Sequence, residues 1–237
     1  MSRLFALRLW LDGLAAVLLL FGLSYWWLGN VAHEIAGTLM FALLIAHNVF
    51  NRRWYSNFPK TRCEPRTLLN FLITGGLLIA VLALLVTSLL ISNALAPFLP
   101  PWGGFTSRQL HTVAAYWVLV MVSVHLGLRW QMLMGIARVA FGVHDTNRSR
   151  TWILRAITAA AAAYGAWSWL VLGLGTKLTM RLSLDWWNFE ESVIGFFGHC
   201  IAIISLVAAV THYLAAALAG RGRSRAPTRV MAARRSC

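Results

Sequence analysis

The sequence predicts an all-α integral membrane protein of six transmembrane helices, and three observations lead there. Of its 237 residues 59% are hydrophobic and only 12% charged, against about 25% charged in an average soluble domain. The apolar residues fall in runs near or above the roughly 20 needed to cross a bilayer. The cations are segregated to alternate connections, as cytoplasmic loops of membrane proteins require. This composition excludes an ordinary soluble enzyme, and twelve Trp and twelve Phe against seven acidic residues exclude a disordered scaffold.

The spans follow one another in order. The first covers about 9–28, behind Arg3 and Arg8, and its length with no small-residue cleavage site argues for an uncleaved helix. A tight break at Gly29-Asn30 precedes the second, about 31–51. The third covers about 67–93 and stops before Pro97, Pro100 and Pro101. The fourth runs from Thr106 to about Trp130, with an amphipathic extension to Phe141. The fifth is alanine-rich, about 152–174, and the sixth covers about 191–219, closed by Gly220. The stretch 175–190 is too polar to span and is expected on the outer surface. Residues 1–141 would form a four-helix membrane bundle, 142–220 two further helices, and 221–237 a basic cytoplasmic tail.

Of the 21 Lys and Arg, all but Arg108, Lys177 and Arg181 lie in the N-terminus, the 52–66 loop, the 129–155 connection and the C-terminal tail. This asymmetry places both termini in the cytoplasm. The net charge of +14 is thereby an orientation signal rather than a nucleic-acid surface. Trp26, Trp27, Trp102, Trp186 and Trp187 fall at the outer boundary and Trp10, Trp54, Trp130 and Trp152 at the inner one, as an aromatic belt would.

Four of the seven histidines form a pattern. His33 and His47 lie in the second span and His111 and His125 in the fourth, each pair fourteen positions apart. Fourteen residues advance about 21 Å along a helix and return to within about 40° of the starting azimuth, so each pair shares a face. The same distance prevents both members from ligating one small ion. Spans two and four run in the same direction. Packed side by side, they would set His33 opposite His111 near the outer surface and His47 opposite His125 near the inner one. Two opposed imidazoles can hold a haem iron from both sides, at the position where bundles build cofactor sites. The expected core is a four-helix bundle binding two haems between spans two and four. Cys63, Cys200 and Cys237 are far apart and there is no CxxCH, so both haems would be non-covalent and b-type. An iron saturated by two histidines offers no open position to oxygen, and such a site carries electrons. Ala36, Gly37, Ala114 and Ala115, with Gly75 and Gly76 of the third span, are expected to leave room for a flat cofactor. A histidine in a span can also serve a helix–helix hydrogen bond or a proton relay. Two equal spacings on two helices of equal direction are hard to obtain from packing needs alone.

The two histidine segments, HEIAGTLMFALLIAH and HTVAAYWVLVMVSVH, share H-x-[IV]-A-[GA] and then nine residues and His, and Arg-Trp follows each (Arg53-Trp54 and Arg129-Trp130). The chain thus carries a weak parallel repeat of helix hairpins, with a pseudo-two-fold axis along the membrane normal. Residues 33–60 and 104–130 resemble the flavinylation-associated cytochrome family, bacterial membrane proteins similar to the dihaem cytochromes b. The resemblance implies a bacterial cytoplasmic membrane and transfer of electrons to an extracytoplasmic flavin-carrying protein, with a quinol or a cytoplasmic-side reductant as donor. The chain itself contains no soluble flavin-binding domain.

Lesser candidates surround these. Arg108 precedes His111 by three positions and Arg129 follows His125 by four. Both suit pairing with haem propionates, and both equally suit snorkelling to headgroups. Glu34 could exchange protons with a quinol or simply be solvated. Asp12, four residues after Arg8, is expected to pair with it. His199 and His212 are thirteen apart and so about 140° apart in azimuth, which argues against a third haem. For His199 packing is the main expectation, a quinone pocket or proton relay the alternative. His144 is expected to be solvated. No P-loop, GxGxxG, GxSxG or HExxH occurs, so nucleotide or hydrolytic catalysis lacks support. Two other functions fit the residues: a proton-coupled small-solute transporter, and a membrane anchor subunit of a redox enzyme. The transporter would show polar groups and broken helices at the midplane, whereas here the polar groups lie near both faces.

Overall fold

The computed structural model describes residues 3–50, 52, 65–98, 104–143, 147–181 and 187–224. All regular structure among them is helical: α1 (Arg3–Leu23), α2 (Tyr25–Phe50), α3 (Pro65–Ile91), α4 (Phe105–Ala140), α5 (Arg148–Val171), α6 (Leu174–Leu178) and α7 (Val193–Ser224). The repeat's Arg53-Trp54, with Trp102, His144, Trp186 and the basic tail beyond 224, lies outside the described residues. Helices α1, α2, α3, α4 and α7 are long and apolar enough to cross a membrane. Large apolar side chains such as Ile45, Ile79 and Ile194 stand mostly exposed along them, which water would not tolerate in such density and lipid requires. The protein is a helical membrane protein. Five helices meet the criteria of length and apolarity where the sequence suggests six spans. The exception, α5, is long enough, but Arg155, several aromatic side chains bearing polar atoms and a run of alanines lower its apolarity.

The first two helices divide earlier than the hydropathy suggests. The first ends at Leu23 rather than near 28, because Ser24 takes over: its hydroxyl donates to the Phe21 carbonyl at 2.8 Å, and its own carbonyl accepts from Trp27 and Leu28 N–H. Trp26 and Trp27 therefore open α2. Gly29 does break the helix, at φ 71°, a left-handed conformation that glycine adopts without a Cβ penalty. Phe21 stacks on Trp27, and Phe197 of α7 meets both edge-on, fastening this turn to the rest of the bundle.

The helices form two hairpins, α1 with α2 and α3 with α4, joined to a second group in which α7 lies against α4 and α5 lies against α7. The fourth helix reaches Ala140, as the amphipathic extension predicts, and Gly142 at φ 62° follows its cap. Asn147 caps α5 by accepting from the Arg150 N–H. The short α6 folds over the side of α4: the Trp117 indole donates to the Leu178 carbonyl, and the Lys177 ammonium lies 5.0 Å from the Tyr116 ring centre. Burial lowers the Lys177 pKa from its ordinary value. The densest packing, around Leu119, Leu174, Cys200 and Ile203, is where α4, α6 and α7 meet. Helices α2 and α4 face each other through side chains, with the His33 and His111 rings opposed. Among the described residues their backbones do not run in close contact, and it is side chains such as Met40, Phe41 and Leu44 that carry α2 to the common core.

Two glycines set how closely α7 is approached. A Cβ on Gly165 of α5 would lie 2.3 Å from the Ala202 carbonyl oxygen, and one on Gly127 of α4 would lie 2.5 Å from that of Ala208. Backbone carbonyls on a helix cannot step aside. Gly165→Ala is expected to destabilise the protein by about 1–3 kcal/mol, the usual range for overpacking, seen as a lower unfolding temperature in detergent. Gly37→Ala, where the added methyl meets nothing within 4 Å, is expected to leave that temperature unchanged or raised.

Candidate functional site

Four histidines predicted from spacing occupy the two ends of the α1–α4 group. At the end that carries Arg108, the His33 and His111 rings face each other with centres 6.0 Å apart and planes at 70°. Tyr25 stands edge-on against His33 from the other side of the Gly29 kink, at 5.1 Å. On α3, the Thr87 hydroxyl donates to the Ala83 carbonyl at 2.7 Å. Its oxygen is then an acceptor for the His111 Nδ1–H at 3.0 Å. The tautomer follows from this: Nδ1 of His111 carries the proton and Nε2 keeps its lone pair. His33 lies against the Gly22 carbonyl of α1. Its buried Nδ1 nonetheless has no hydrogen-bond partner of good geometry among the described residues.

Glu34, next to His33, turns away from it. One carboxylate oxygen accepts from the Asn30 amide and the Asn93 N–H, both at 2.8 Å. The other accepts from the Ser92 hydroxyl at 3.0 Å and the Ala94 N–H at 3.3 Å. These bonds cap the turn that leaves α3 and tie it to α2. The carboxylate is thereby a structural clasp, with its acceptor capacity committed.

At the end that carries Arg8 and Arg129, His47 Nδ1 and Asp12 Oδ1 lie 2.5 Å apart. This corrects the expected Arg8–Asp12 pair: the helical i, i+4 neighbour loses to a histidine 35 residues away, and the Arg8 Nε is buried without a hydrogen-bond partner among the described residues. A carboxylate only accepts, so Nδ1 of His47 donates and Nε2 again keeps its lone pair. His125 lies within the electrostatic reach of His47, Asp12 and Arg129, and its buried Nδ1, like the Oδ1 of Asn70 on α3, has no hydrogen-bond partner among the described residues. The structure thus sets the His33 and His111 rings face to face, while His125 lies within the electrostatic reach of His47 and Asp12. Arg108 and Arg129 are exposed on α4 beyond their histidines.

The remaining polar candidates are accounted for by packing. His199 is buried, its Nδ1 2.8 Å from the Ser168 hydroxyl, within a cage of Tyr164, Trp167 and Trp187 rings at 5.1–5.4 Å. His212 contacts the Tyr213 ring. Gly76 does not leave open room, since a Cβ there would touch the Met121 side chain, while Gly37 and Gly75 are open. Spacing could not reveal Thr87 and Asp12 as histidine partners: each lies on another helix, and neither type is diagnostic alone. Among the described residues no group of three or more His, Cys, Asp or Glu converges as a metal site. Opposed histidine pairs are instead suited to a metal that brings its other ligands with it. No family model matches the chain, and no curated protein or solved structure is similar to it.

The clasp yields a direct expectation. Glu34→Ala should remove about 1 kcal/mol of local stability and speed amide exchange at Asn93 and Ala94 about fivefold. Hydrogen-exchange mass spectrometry of the α3–α4 connection reads this out.

Proposed function

We propose that this chain is a six-span electron-transfer cytochrome of the cytoplasmic membrane, holding one b-type haem between His33 and His111 and a second between His47 and His125. The observation that carries the reading is the opposed His33 and His111 rings. With centres 6.0 Å apart, these two imidazoles would hold a haem iron between them, His33 from α2 and His111 from α4. The donor set also fits. Thr87 and Asp12 orient His111 and His47 as such partners orient metal-bound histidines, and the other member of each pair keeps a buried ring nitrogen without a hydrogen bond. An orphaned polar atom of that kind costs about 1–3 kcal/mol. Bound between two histidines, haem supplies one-electron chemistry without an open coordination position.

The chain's own residues then have distinct tasks. The four imidazoles ligate, and the apolar helix between their two levels excludes water. Arg108, Arg129 and the unpaired Nε of Arg8 supply donors for propionate carboxylates. The alanine-rich α5, held along α7 at Gly165, is the sixth span, and the arginine asymmetry puts both termini in the cytoplasm. The resemblance of residues 33–60 and 104–130 to flavinylation-associated cytochromes supplies the acceptor, an extracytoplasmic flavin-carrying protein, with a quinol as donor.

An optical spectrum of the purified reduced protein, with haem quantified, tests the reading. Low-spin b-type bands at two haems per chain are expected, and a colourless protein overturns it. His33→Ala or His111→Ala should remove one spectral component and His47→Ala or His125→Ala the other. Loss of the same single component in His33→Ala and His47→Ala would overturn the pairing. His199→Ala should leave both components in place. For topology, a reporter fused after residue 220 should be active only on the cytoplasmic side.

A further inference from the structure

The two histidine pairs differ in what holds the outward ring nitrogen of one member. His111 Nδ1 bonds a neutral hydroxyl, Thr87, whose own proton is committed to the Ala83 carbonyl. His47 Nδ1 bonds a carboxylate, Asp12, at 2.5 Å. The contrast is sharper because only two of the seven acidic residues, Asp12 and Glu34, lie in helices among the described residues. Each lies near a different pair. Glu34 spends its oxygens on Asn30, Ser92, Asn93 and Ala94 and reaches no histidine. Asp12 puts its charge directly on one.

A carboxylate that accepts the Nδ1–H of a ligating histidine makes the ring a stronger electron donor to the metal. That favours the oxidised form of the site and lowers its reduction potential. A hydroxyl in the same position does so weakly. Arg8 and Arg129 lie at the Asp12 end and act in the opposite sense, but through space, whereas Asp12 acts through the ligand bond itself.

We infer that Asp12 is a positioning residue that lowers the reduction potential of the His47/His125 site below that of the His33/His111 site, directing electrons toward the latter. The inference rests on the two-haem reading above. The transfer moves one electron and no bond or proton between the sites: the Asp12-side site is oxidised as the Thr87-side site is reduced. A quinol on the donor side gives up two electrons one at a time, becoming a quinone and releasing its two protons to water on that side, and a flavin on the acceptor side takes the electrons singly. On the proposed topology the direction is outward.

The test is a spectroelectrochemical titration of the full-length protein in detergent, with the His47-side component assigned as the one missing from His47→Ala. Asp12→Asn keeps an oxygen acceptor and removes the charge. It is expected to raise the midpoint potential of that component alone, with both haems retained and the other component unmoved. Asp12→Ser, which offers His47 a neutral hydroxyl as Thr87 does for His111, should shift it the same way and covers loss of haem in the first variant. Asp12→Glu should keep it near the wild-type value. An unmoved or lowered potential in the neutral variants, an equal shift of both components, or a wild-type His47-side component that is the higher of the two would overturn the inference and leave the two-haem reading standing. A wild-type protein without two components would instead overturn that reading itself.

Discussion

An imidazole in the hydrocarbon region has two nitrogens to satisfy and no water with which to do so. In a helix its backbone is already paired, so the ring must find partners on neighbouring helices. The four histidines of α2 and α4 meet this demand in a divided way. One of each pair gives its Nδ1–H to another helix, Thr87 of α3 or Asp12 of α1. Each of those two bonds crosses one hairpin, from Thr87 of α3 to His111 of α4 and from Asp12 of α1 to His47 of α2. They add polar ties to hairpins whose apolar packing has little hydrophobic drive of its own in lipid.

The contrast with His199 shows why environment rather than residue type separates the roles. Its Nδ1 also meets a hydroxyl, Ser168, yet three aromatic rings enclose it and no second imidazole stands opposite among the ring contacts found. Walled by aromatic rings, its Nδ1 makes its one bond to Ser168 and meets no second imidazole among the described residues. His33 and His111 are instead opposed ring to ring, each beside the other's polar edge rather than walled in by apolar faces.

Much of this was legible in the sequence because it rests on periodicity. Runs of apolar residues located six spans, of which five are helices long and apolar enough to cross a membrane, and the equal spacings of fourteen anticipated the approach of His33 to His111. What escaped depended on contacts between distant residues or on local polar atoms inside apolar runs. Hydropathy continues unbroken through Tyr25, Trp26 and Trp27, so the end of α1 at Ser24 is invisible until the serine's bond to Phe21 is seen. Asp12 has a helical neighbour of opposite charge in Arg8, and only the fold reveals a better partner 35 residues on. Gly127 and Gly165 are indistinguishable in sequence from Gly13 and Gly37, which face open space, though only the former two let backbones touch.

The approach of α5 to α7 at Gly165 has a consequence for how the chain is assembled in a cell. With the glycine Cα so near the Ala202 carbonyl, the two backbones are placed for weak Cα–H···O bonds in addition to ordinary dispersion. Such contacts matter most for a helix whose own partitioning into lipid is marginal, as the arginine and alanines of α5 make it. But α7 is synthesised after α5. On the six-span reading, in which α5 crosses the membrane, the earlier helix waits at the insertion machinery or at the membrane surface for its partner. On that reading the two helices integrate together, and the length of the segment between them sets how long α5 waits.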